Sequence, residues 1–285
     1  MITDPEVDIN IKDLVLDESV KAKLKLDPEH DVTENDWDKL RAEFDWYKKE
    51  GRYQELLSTA VYVKLFDPQR LEQLVDLEAL WPEQQKLWDY DSKPNSRAED
   101  TLNEAYRVKV LYPNHPLDYD PKEWWNNPIS RIDPQFVGDD ALSWSNYTSR
   151  LLRIKFLDPN LMGLKITDQM WEKMKGSINE LQQEKQILFD LNILEMAASM
   201  KILAPERWNG PNMESTISII SDVYNHALSE NRDSTGTFSG FFFEKMTAAR
   251  IIVAQEAKIT EHGLELKMPE PELELNEKPP ETRRF

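Results

Sequence analysis

Three features of the sequence predict an all-α fold: a helical-hairpin repeat array, α-solenoid-like, with a period of about 46 residues and extended acidic tails. The first is a recurring segment made of a lysine, two apolar residues, one variable residue and a proline. It occurs at Lys64–Pro68, Lys109–Pro113, Lys155–Pro159 and Lys201–Pro205, and the prolines lie 45, 46 and 46 residues apart. A partial copy, Leu24–Pro28, precedes these, and a late copy, Arg250–Ala254, lacks the proline. A fixed period of this size marks stacked helix pairs rather than a single enzyme core. The second feature is the helical spacing of apolar residues before each proline, as in Leu57, Ala60, Val61 and Leu65. Proline lacks an amide hydrogen and excludes its predecessor from the helical region, so one helix of each pair ends there. The third feature is a hydrophobic staple downstream. Val32-Thr33, Val75-Asp76, Tyr119-Asp120 and Ile166-Thr167 each put an apolar residue before a capping residue, and Trp37, Leu80, Trp124 and Trp171 follow four positions after the cap.

Taken in order, residues 1–18 form an acidic N-terminal tail with six acids against one lysine. The helical repeat domain spans 19–267. Residues 34–50 predict a helix with Trp37, Leu40, Phe44 and Tyr47 on one face, ended by Lys48, Lys49 and Gly51. A second helix runs to Phe66, another follows Asp76, and Ser96 with Glu99 opens the next after the Ser92–Ser96 loop. Residues 113–139 form an irregular insertion, where Pro113, Pro116, Pro121, Pro128 and Pro134 leave room only for short helical pieces. Regular helices resume from Asp140 to Leu157, Asp168 to Lys185, Ile187 to Leu203 and Met213 to Ser229, and a last one runs from Phe241 to Lys258. Phe238, Phe241, Phe242 and Phe243 are too apolar for an exposed loop and are expected to cap the end of the array or to cover a groove. Residues 268–285, with four prolines among acids, predict an extended tail.

The charge of −18 disfavours nucleic acid as a partner, because phosphate binding is driven by Lys and Arg displacing counterions. It favours a partner with a basic surface. The sequence has no cysteine, no apolar run long enough to span a membrane, and an acidic start where a secretory signal would be basic, so a cytoplasmic protein is expected. Catalytic patterns are poor. No glycine cluster follows a predicted strand, and His30, His115, His226 and His262 show no ligand spacing, so a zinc site would have to be assembled by the fold. No cofactor is expected.

The function expected from these residues is that of a non-enzymatic scaffold or adaptor binding a protein or peptide, with a basic one favoured. The alternatives are a structural subunit of a larger assembly and a metal-dependent enzyme with a site near 113–139. Partner-binding candidates in the insertion are Tyr119, Trp124, Trp125 and Phe136, although Trp124 also serves as a staple. Lys109, Lys155 and Lys201 share one position of successive units, so stacking would align them as a basic ridge. The structural reading of the same row is that a cation in the last turn offsets the helix dipole, worth about 0.3–1 kcal/mol each. The sequence does not specify the oligomeric state. The period resembles that of HEAT-like and armadillo-like arrays in length alone, and no functional residue follows from that likeness.

Overall fold

The computed structural model describes residues 26–91, 98–115, 137–159, 166–183, 187–208, 213–233, 239–260 and 263–269, and these are mostly helical. The helices are α1 (Pro28–Asp31), α2 (Glu34–Lys49), α3 (Tyr53–Phe66), α4 (Pro68–Leu74), α5 (Leu77–Asp91), α6 (Ala98–Leu111), α7 (Ala141–Leu157), α8 (Asp168–Gln183), α9 (Ile187–Leu203), α10 (Pro205–Trp208), α11 (Glu214–Asp233) and α12 (Ser239–Val253). An antiparallel hairpin, β1 (Glu256–Thr260) and β2 (Gly263–Lys267), follows. No helix among the described residues is long and apolar enough to cross a membrane.

The predicted caps govern where the chain turns. Thr33 closes a capping box with Asp36 and Trp37 is buried behind it; the Asp76 carboxylate accepts from the amide of Ala79, and Leu80 is buried; the Thr167 hydroxyl accepts from the amide of Met170, and Trp171 is buried. Two of the prolines act in both directions. Asp67 ends α3 and caps α4, whose first residue is Pro68, and Pro205 likewise opens α10 directly after α9. Gly51 takes the turn after α2 with φ 69°, a conformation that favours glycine.

Five of the helices form a ring. α3 packs on α6, α6 on α7, α7 on α9, α9 on α12, and α12 returns to α3. The others lie outside it: α2 against α3 and α12, α5 against α6 and α3, α8 against α7 and α9, and α11 against α8, α9 and α12. The α12–α3 seam is close. A Cβ on Gly240 would meet the Thr59 hydroxyl at 2.7 Å, the Thr247 hydroxyl donates to the Tyr62 carbonyl at 3.0 Å, and Arg250 donates to the Phe66 carbonyl. These pairs advance together along both helices, so α12 and α3 run parallel. Phe242 and Phe243 are buried, and the Phe243 ring lies 4.4 Å from Trp37 and 6.0 Å from Phe66.

The last helix is shorter than its sequence predicts. It ends at Val253 rather than Lys258, because the Lys201 ammonium takes the carbonyls of Ile252 and Ala254 and burial then alternates, with Ala257 and Ile259 inward and Glu256 and Lys258 outward. That period of two belongs to a strand, and Gly263 at φ 115° turns the chain into its partner. Residues 1–18, residues 270–285 and most of the 113–139 insertion lie outside the described residues.

Candidate functional site

Along the axis that the ring helices enclose, polar side chains stand among apolar ones such as Leu65, Leu152 and Phe156. A cavity of about 40 Å³ lies there, lined from all five: Tyr62 of α3, Tyr106 of α6, Arg153 of α7, Glu195 and Ser199 of α9, and Glu244 of α12. The Arg153 guanidinium donates to the Asn103 side chain at 2.6 Å, and the Tyr62 hydroxyl donates to Glu195 at 3.4 Å. Burial pushes the Glu244 carboxyl well above the usual carboxylate range, and the neighbouring Glu195 carboxylate pushes it further. The charged form of Glu244 is thus disfavoured beside a second carboxyl. Burial opposes the charge on Arg153, but the surrounding tyrosines and carboxylates outweigh it and raise its pKa. Tyr62 and Tyr106 are pushed up chiefly by burial and stay neutral. The Ser199 side chain is fully buried, and its hydroxyl has no hydrogen-bond partner.

Tyr62 and Glu244 also line a larger cavity of about 380 Å³, which opens beside the N-terminal halves of α3 and α12. Its other walls include Glu43 and Tyr47 of α2, Glu55, Ser58 and Thr59 of α3, and Phe241 of α12. Every charged residue of this lining is an acid. Glu43 accepts from the Tyr47 hydroxyl at 2.6 Å and from the Gly240 amide at 3.2 Å, which fixes its position between α2 and α12. Glu55 pairs with Arg52 at the rim, 2.5 Å away, and its pKa is lowered: burial opposes the shift, and the Arg52 hydrogen bond outweighs it. Phe241 is 49% exposed, and Trp46, stacked beside Tyr47 at 5.3 Å, is 45% exposed. The Arg52 guanidinium sits 5.0 Å from the Trp46 ring and 5.7 Å from the Tyr47 ring, so these faces already hold one cation.

The lysines at the ends of the ring helices are placed differently from one another. Lys201 is buried and donates to the Ile252 carbonyl at 2.6 Å and to that of Ala254. Burial pushes its pKa down to about 7, while the carbonyls favour the charged form. Lys155 donates to the Pro159 carbonyl just past its own helix, Arg250 donates to the Phe66 carbonyl of the neighbouring helix, and Lys109 is half-buried. Lys155, Lys201 and Arg250 thus meet carbonyl groups that the helix ends leave open. Tyr119, Trp124, Trp125 and Phe136 lie outside the described residues. The fold does bring Asp190, His226 and Glu230 together, with the His226 Nδ1 2.6 Å from Asp190 and Glu230 paired to Lys245 at 3.2 Å. The Asp190 hydrogen bond raises the pKa of His226, so two ion pairs satisfy this cluster.

Neither cavity was anticipated, yet a signal for the axial one exists. Ten residues before the proline position of each segment stand Ser58, Asn103, Ser149, Glu195 and Glu244, polar in every copy, and the last three line the axial cavity. No family model, curated protein or solved structure matches the chain. The reading of the site rests on its geometry and chemistry.

Proposed function

We propose that the chain is a helical-repeat binding protein, its units closed into a ring, and that the acidic mouth of the ring receives a basic side chain of a protein or peptide partner. The repeat reading is supported by the proline-aligned segments of 45 and 46 residues and by their helices being the ones that contact in sequence around the ring. The observation that carries the function is the mouth: an open cavity of about 380 Å³ whose acidic lining is Glu43, Glu55 and, at its inner end, the carboxyl of Glu244, flanked by Tyr47, Tyr62 and an exposed Phe241. Carboxylates with aromatic faces recognise cations, and exposed aromatics at a cavity rim are typical anchors for a partner. The overall charge of −18 would speed encounter with such a partner.

The test is binding of fluorescent decapeptides rich in lysine, in glutamine or in glutamate, at low and moderate salt. The lysine-rich peptide should bind, weaken with salt, and lose most of its affinity when Glu43→Gln and Phe241→Ala are combined. Equal binding of all three peptides, or of none, contradicts the proposal. A second reading, an acid–base enzyme, is favoured by the Glu195 and Glu244 carboxyls sharing one cavity. It predicts a small polar substrate that raises the melting midpoint in a Glu244-dependent way.

A further inference from the structure

Two carboxyl groups share the axial chamber with one guanidinium. Around it stand Tyr62, Tyr106, Arg153, Glu195 and Glu244, one or more from each ring helix, and Arg153 is the only cation among them. One guanidinium balances one carboxylate, so the second carboxyl needs either a proton or a further cation. The Ser199 hydroxyl, buried without a partner, also lines this space. Such an orphan hydroxyl, able both to donate and to accept, is costly in a folded protein and points to a missing partner. The chamber and the mouth meet at Tyr62 and Glu244, which line both. Those two side chains form the wall between them, and a long unbranched side chain entering the mouth would end against it.

We propose that the axial chamber is the deep subsite of the mouth, that it accepts a primary ammonium group, and that the ammonium enters in exchange for the proton on Glu244. This rests on the reading of the mouth given above. The ammonium group offers three donors and no acceptor. Glu244, once ionised, Glu195 and Ser199 supply three acceptors. The charge balances, because one cation enters and one proton leaves to solvent. Shape favours the ammonium: it brings a single nitrogen on a slender stem into a chamber of about 40 Å³. A planar guanidinium must place three nitrogens in the same space, so a preference for the ammonium is expected.

The experiment is isothermal titration of the full chain with Nα-acetyl-lysine amide, with Nα-acetyl-arginine amide and acetyl-norleucine amide as comparisons, in phosphate and in HEPES buffers. The two buffers differ in ionisation enthalpy, so the difference in heat counts released protons. Expected is release of about one proton per lysine probe, affinity rising up to about tenfold per pH unit below the Glu244 pKa, and a preference for lysine over arginine. Glu244→Gln, which keeps the neutral shape of the folded side chain, should abolish the proton release and weaken the lysine probe by about tenfold or more. Ser199→Ala should weaken it by a few-fold. Equal binding of lysine and arginine probes, with no proton released and no effect of Glu244→Gln, overturns the deep subsite and leaves the acidic mouth standing. Binding of neither cation, or of norleucine as well as lysine, overturns both.

Discussion

Arg107 and Arg153 occupy the same position in successive units, six residues before the proline, and each reaches back to the residue ten before the proline of the preceding unit. Arg107 donates to Ser58 at 2.9 Å, and Arg153 to Asn103 at 2.6 Å. Their surroundings differ. Arg107 meets Glu104 with contacts of 2.6 and 2.8 Å, Gln84 donates to the same carboxylate at 2.9 Å, and both charged side chains are buried. Arg153 faces Glu195 and Glu244 across an open chamber. One arginine sits in a balanced pair, and the other in a cluster that holds an extra carboxyl; each site has one buried polar atom without a partner, the Gln84 Oε1 and the Ser199 hydroxyl. The same geometric device closes on its own pair in the first case and borders an open chamber in the second.

The largest effect expected is at the balanced pair. Arg107→Ala leaves Glu104 buried without its cation and should cost about 3–5 kcal/mol in denaturant unfolding. A loss comparable to that of an exposed pair would mean that Arg107 is not the closed half of the comparison. Next is Lys201→Met, which strands the carbonyls of Ile252 and Ala254 and should cost about 2–3 kcal/mol. Its pH dependence has a definite sign. The folded pKa of Lys201 is depressed to about 7, so above that value the unfolded chain binds the proton that the folded chain has released. The wild type should therefore gain stability over Lys201→Met as pH rises from 7 towards the ordinary lysine range, and the gap should narrow as pH falls through 7.

Glu244→Gln is smaller and opposite in direction. The folded pKa of Glu244 is raised, so the stability tied to its proton is present at low pH and is lost as pH rises through the folded value. The glutamine variant escapes that loss and should melt about 2–4 °C above wild type at about pH 8, with no gain at about pH 4. Lys64→Gln is the smallest. Lys64 pairs with an exposed Glu72 at 3.7 Å, and its replacement should change stability by less than about 1 kcal/mol.

Local signals in the sequence were legible because they act over a few residues. Thr33 with Trp37 and Thr167 with Trp171 fix helix starts through a cap and a staple, and Pro68 and Pro205 fix stops through the missing amide. The helical fold followed from these. The meeting of α12 with α3 was not legible, because it depends on Gly240 lying against Thr59, residues almost two hundred positions apart with no local pattern to link them. The strand after Val253 was hidden by helix-like composition and was set by Lys201, a distant residue that caps the helix end. The axial cluster is scattered over five helices. Its one sequence trace, the polar residue ten before each proline, appears only when the units are aligned.

The central claim is that Glu244 is a neutral carboxyl held beside Glu195 on the axis of the ring. It is tested most directly by a carboxyl carbon NMR titration of protein labelled at glutamate, comparing wild type with Glu244→Gln and Glu195→Gln. The account predicts one glutamate resonance that titrates well above the ordinary range, disappears in Glu244→Gln and moves down in Glu195→Gln. A wild-type spectrum in which every glutamate ionises in the ordinary range would contradict it.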